Sequence, residues 1–215
     1  MSDAPALLIF PAGGPLVVDV EESCARLGRR IGAVVANRPG PRHSLDPSRI
    51  LDVGQLPLDA AGWVFLCPLF TPANRRLAVA EALGHGWGAA DALIDPTAIV
   101  PPSVEAAEGV YVNAGVVIGA ASRLGAHVLI NRAASLGHHC EIEAFASIGP
   151  AVVLAGQVRV GEGAVIGTGA VLASGVSVGA GASVAPGTVL RRDLPPGAVA
   201  FGPSTRITLP GEPRE

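Results

Sequence analysis

The chain has 215 residues, 49% of them hydrophobic and 15% charged, which leaves room for one large or two small packed domains and argues against disorder. A formal charge of −3 with scattered arginines offers no basic stripe for a nucleic-acid backbone, so nucleic acid is not an expected partner. All 15 basic residues are arginine, which excludes Schiff-base lysine chemistry and a Walker-type phosphate loop.

The N-terminal MSDAPALLIF lacks the positive lead-in of a signal peptide. No apolar run reaches the roughly 18 residues of a membrane span, so a cytoplasmic protein without membrane insertion is expected. ALLIF then reads as a strand running into a loop at Gly13 and Gly14, with a helix near Leu16 to Leu27 and a second strand, IGAVVAN. NRPGPRHSLDPS reads as loop, GWVFLCPLF as a third strand, and Pro72 to Leu83 as a helix carrying Arg75 and Arg76 in its first turns. This strand, glycine turn and helix rhythm predicts a Rossmann-like α/β domain over residues 1–90, a place for an acceptor or nucleotide. Gly13 and Gly14 admit two readings: backbone amides approaching a phosphate at a helix N-terminus, or a tight connection that needs glycine. Cys24, Cys67 and Cys140 lie far apart with no CxxC, as small buried thiols do.

From Ile94 onward the period changes to six. Stepping by six from Ile94 to Leu190 meets 17 positions without a polar residue. The next residue is often Gly or Asn, as at Asn113, Gly119, Asn131, Gly137 and Gly149, and two places earlier stands a second small residue such as Ala134, Cys140 or Ala146. Two inward side chains and one turn per hexad describe a short strand and a corner. Three hexads close a triangular coil of 18 residues, and successive coils stack at about 4.8 Å through parallel ladders. With only 4% aromatic residues and 28 glycines, the core is a column of Val, Ile, Leu and Ala. The expected β-helix domain spans residues 91–215.

His138 falls two places after Leu136, on an outward corner. Eighteen-residue steps place Gly156, Ser174 and Arg192 in line with it. A neutral imidazole there takes a proton near neutral pH; a glycine one coil away exposes an N–H to a developing oxyanion; small residues leave a groove; and a terminal arginine meets phosphate. That order suits acetyl transfer from acetyl-CoA to an amine or hydroxyl, without a covalent enzyme intermediate. Cys140, pointing inward, is poorly placed as a nucleophile. Adjacent histidines would need a third ligand to hold a metal, with His127 on another side of the triangle, and no metal site is expected.

The run INRAASLGHHCEIEAFASIGPAVVLAGQVRVGEGAVIG, followed by LRRDLPPGAVAFGPSTRI, resembles the hexapeptide-repeat sugar acyltransferases that acetylate sialic acids or nucleotide-linked 4-amino-6-deoxy sugars. The resemblance implies a left-handed β-helix, a homotrimer with CoA between neighbouring helices, and a small sugar-like acceptor. It also implies His138 as base, Asn131 beside the reacting groups, Gly156 as main-chain oxyanion donor, and FGPSTR as a segment closing over CoA. The expected site is then His138, His139 and Gly156 for catalysis; Gly156, Thr168, Ser174, Arg192 and Arg206 for CoA; and Asn131, Gly13 and Gly14 for the acceptor. Three differences from the family pattern stand out. His139 occupies the place of an acidic residue after the base, PAGGPL replaces GAGGHA, and Ala36 and Asn37 end the second strand where relatives carry acids. A non-catalytic assembly scaffold and a metal hydratase are the alternative readings.

Overall fold

The computed structural model describes residues 5–57, 60 and 62–202. Aliphatic runs at its start pair into a parallel sheet of order β3-β2-β1-β4-β5: β1 is Leu7–Ile9, β2 Ile31–Ala36, β3 Ile50–Asp52, β4 Val64–Leu66 and β5 Gly88–Ala89. Helix α1 (Val17–Leu27) follows β1 and buries Val17, Val20 and Cys24, a helical spacing, before Gly28 ends it at φ 64°. Helix α2 (Pro72–Gly84) follows β4 and opens with proline at its first position. The strand order reverses between β1 and β4, so a crevice forms where the loops after β1 and β4 part. β3 lies just beyond the expected loop, in a stretch before the third expected strand where the sequence suggests no element. It is three residues long, enters through a single 3-10 turn at Pro47–Arg49, and is too short to display alternation.

From Leu93–Ile94 the chain winds into a left-handed triangular coil with three parallel sheets of seven, five and five strands. Register partners are 18 residues apart: Ile130 with Ile148, Leu136 with Leu154, Ile142 with Val160. Inward side chains from both positions of each hexad form one buried column from Val110 to Leu190. The frame ends after Leu190. Leu194 bridges Val178 and Val199 pairs with Ser183, each two residues short of a full circuit.

The corners differ from the expected turn. The left-handed residue is the third after each inward aliphatic, at Ala121 (φ 58°), His127 (φ 56°), Ala133 (φ 57°) and His139 (φ 56°). Glycines directly after the aliphatic are there because the next coil lies against them. A Cβ on Gly119 would stand 2.4 Å from His138 N, and one on Gly137 2.5 Å from Gly156 N.

Each face of the triangle has its own surface. The seven-stranded face is covered by the N-terminal part: Tyr111 and Leu129 pack with Val17, Val20 and Cys24 of α1. The second face, from Glu105–Ala106 to Ser177–Val178, carries Glu105–Arg123 and Glu141–Arg159 ion pairs at 3.3 and 3.2 Å. Such exposed pairs favour solubility more than stability. The third face bears outward Ile99, Val117, Val153, Val171 and Val189, all exposed.

Two buried polar hubs tie the parts together. Arg75 on α2, 1% exposed, donates to Leu69 O, Phe70 O, Phe145 O, Ala146 O and Ser147 Oγ. Burial without a carboxylate lowers its guanidinium to about 10. Asp95, fully buried, accepts from Ser23 Oγ at 2.6 Å and from Arg26 Nη2 at 2.6 Å. Burial alone would raise its carboxyl, but hydrogen bonds from Arg26, Ser23 and Thr97 together hold it well below the usual carboxylate range.

Candidate active site

His138 and His139 occupy the corner after Ser135–Leu136, the corner opposite the covered face. Their Nδ1 atoms lie 3.0 Å apart with the rings at 86°. The positive φ of His139 turns its ring against its neighbour. A Nδ1–Nδ1 contact requires one ring to donate and the other to accept. When His138 donates, its Nε2 keeps a free lone pair.

Gly156 lies directly beneath. A Cβ there would stand 2.8 Å from both Cε1 and Nε2 of His138, so only glycine lets the imidazole rest on the next coil. Gly156 N donates to no backbone carbonyl among the described residues, whereas its carbonyl accepts from Gly175 N at 3.0 Å and Ser174 Oγ at 2.8 Å. A base nitrogen and an uncommitted N–H therefore share one small patch. Cys140, fully buried, directs its thiol to Ala155 O at 3.4 Å, and burial pushes its ionisation upward. It is no nucleophile.

The other expected residues fall in several places. Ser174 continues the His138 column. Arg192 sits in the shortened corner with Arg191 and Asp193, beside a cavity of about 550 Å³ at the coil's C-terminal end. Asn131 and Thr168 lie on a different corner, after Leu129–Ile130 and Val165–Ile166. The exposed valine face separates that corner from His138, so one chain does not bring Asn131 beside that imidazole. Asn131 is instead buried, its Oδ1 accepting from Asn113 Nδ2 at 3.1 Å and Arg132 N at 2.8 Å. Asp19 of α1 joins this corner through Asn113 Nδ2 at 3.0 Å and Arg132 Nη1 at 3.1 Å. Arg206 and most of FGPSTR lie outside the described residues.

Gly13 lines a cavity of about 280 Å³ at the C-terminal ends of β1 and β2. Gly14 does not: its added Cβ would stand 2.8 Å from Leu69 Cδ2 and 3.1 Å from Pro68 O, so packing explains it. Sequence reasoning missed Arg38, Arg42 and Glu81, which share the cavity with Asn37. The first two stand in a loop after a strand of an open α/β sheet, a usable signal. Glu81 reaches it from the far end of α2 and has no local signature.

The bacterial transferase hexapeptide family (six repeats) matches residues 139–174 and 157–192. None of the curated proteins matches the chain by sequence. Among solved structures, a histidine-to-alanine variant of GDP-perosamine N-acetyltransferase from Caulobacter crescentus, in complex with CoA and GDP-perosamine, is 34% identical, with TM-score 0.82 over 94% of this chain and 95% of that one. The acetyltransferase domain of PglB from Neisseria gonorrhoeae, in complex with acetyl-CoA, is 31% identical, with TM-score 0.81 over 93% and 97%. WeeI from Acinetobacter baumannii, at 19% identity and TM-score 0.78 over 93% and 97%, shares the fold. With a third of its residues shared along nearly the full length of two such enzymes, the chain belongs to the hexapeptide-repeat sugar acetyltransferases and is an acetyl-CoA-dependent acyltransferase.

Proposed function

We propose that the chain acetylates the amine of a nucleotide-linked amino sugar, with His138 as general base. The observation that carries this is the His138 imidazole resting on Gly156, with its Nδ1 engaged by His139 and an uncommitted N–H below. Acetyl-CoA supplies the activated acetyl group. His139 Nδ1 accepts from His138 Nδ1–H and holds the tautomer that leaves Nε2 basic. His138 Nε2 takes the proton from the acceptor amine as its nitrogen bonds to the acetyl carbon. Gly156 N–H faces the oxygen that gains charge. The carbon–sulfur bond breaks, and the departing thiolate takes up the proton. The Caulobacter relative, held with CoA and GDP-perosamine, supports a sugar nucleotide as acceptor.

The working unit is a homotrimer. The exposed valine face is bordered by the His138 corner on one edge and by the Asn131 and Asp19 corner on the other. Packing that face against copies about a threefold axis buries the valines and sets the base of one chain beside Asn131 of the next. Thr168, Ser174 and Arg192 then flank the seam where CoA lies. Among the described residues no helix is long and apolar enough to cross a membrane, and a cytoplasmic enzyme with access to acetyl-CoA fits this reading.

The test is thiol release from acetyl-CoA with GDP-perosamine as acceptor. Turnover by the wild type, with loss of about 10²-fold or more in H138A, supports the assignment. An H138A enzyme as fast as wild type overturns it.

A further inference from the structure

We propose that the cavity after β1 and β2 selects guanine, with Glu81 as the residue that reads the base. This rests on the nucleotide-linked acceptor proposed above. The cavity, about 280 Å³, is lined by Gly13, Asn37, Arg38, Arg42 and Glu81 among others, and sits at the strand ends where open α/β sheets take ligands.

Glu81 projects into it from the last turns of α2. Its Oε2 accepts from Asn37 Nδ2 at 2.8 Å, and Arg38 Nη2 approaches the same oxygen at 3.9 Å. Oε1 accepts no hydrogen bond among the described residues. The wall of the cavity therefore presents a carboxylate oriented by an amide, with a cation at its side. Glu81 keeps 31% of its side-chain exposure and Arg38 73%, so both are reachable from the cavity.

That pattern complements one nucleobase edge. Guanine carries two neighbouring donors, N1–H and N2–H, which a carboxylate accepts together, followed by the O6 acceptor, to which a guanidinium donates. Uracil offers a single N–H between two carbonyl oxygens, and both oxygens repel a carboxylate. Adenine sets the N1 lone pair beside its amino group, so one carboxylate oxygen faces a lone pair. Toward the sugar side, Arg42, held by Asp52 at 2.9 Å and 41% exposed, supplies a cation for the diphosphate. Gly13 leaves space there, since an added Cβ would meet only Pro41 O at 3.7 Å.

Calorimetric titration of the full chain with GDP, UDP and ADP, each beside an acetyl-CoA control, tests this. The wild type should bind GDP about tenfold or more tightly than UDP or ADP. E81Q retains an acceptor for Asn37 but turns an amide N–H toward guanine's own donors. It should lose about tenfold in GDP affinity, with UDP and acetyl-CoA affinities unchanged. UDP or ADP binding the wild type as tightly as GDP, or E81Q keeping the full preference for GDP, overturns the guanine assignment and leaves the nucleotide-linked acceptor standing. If acetyl-CoA binds but none of the three nucleotides does, the acceptor reading itself fails.

Discussion

Replacing Gly156 with alanine adds one methyl group at the point where the base rests. The new Cβ would stand 2.8 Å from His138 Cε1 and Nε2 and 3.3 Å from Cδ2, against about 3.5–4.0 Å for ordinary carbon contact. The imidazole must move by about 1 Å, a displacement that costs on the order of 10²-fold when it misplaces a reacting group. The three nearest atoms all belong to that ring, and Gly156 has no left-handed φ to lose. G156A should therefore melt like the wild type and bind acetyl-CoA while its kcat for thiol release falls about 10²-fold. G137A makes the contrast: its Cβ would stand 2.5 Å from Gly156 N and 2.6 Å from Ala155 C, backbone against backbone, and the coil itself must give. In an H138A background the ring is absent, so adding G156A should cost nothing more. Wild-type turnover by G156A, or an equal loss with and without His138, would refute the placement of the base on Gly156.

V171E puts a charge on the exposed valine face. It should convert a trimer to a monomer in light scattering and abolish acetyl transfer, and a fully active monomer would contradict a site shared between chains. R75M leaves the carbonyls at Leu69, Phe70, Phe145 and Ala146 without their common donor. Urea unfolding should show a loss of about 3 kcal/mol, and a loss under about 1 kcal/mol would remove Arg75 from its role as the tie between α2 and the coil. His127 is stacked on Phe145 at 5.0 Å and on Phe65 at 6.2 Å, and burial lowers its pKa, with Arg75 adding to the effect against Glu108. The unfolded chain, with an ordinary imidazole near about 6.5, binds this proton more readily. The contribution is therefore absent above that value, and stability falls as pH drops from there to the lower folded value. The difference in melting temperature between wild type and H127F should grow in H127F's favour across that window; parallel curves would mean that the ring carries no such penalty.

The hexad could be read from the chain because its cause is local. Each strand is two residues long, and an inward aliphatic recurs at every sixth place from Ile94 to Leu190 whatever lies outside. The column of His138, Gly156 and Ser174 followed from counting. The role of the glycines after each aliphatic did not, because it depends on the distance to the next coil. Ile50–Asp52 also escaped, since a three-residue strand lacks a period of its own and is recruited by its neighbour β2.

By itself, then, the sequence determined the spool, its 18-residue pitch and the corner that bears His138, since a repeat specifies its own neighbours. Only the tertiary structure decided which face is covered and that Asp19 of α1 joins Asn113 at its edge. It likewise decided that Glu81 stands in the cavity with Asn37. Those relations join residues 44 or more positions apart across separate elements, and packing between elements, with no trace in local spacing, sets them.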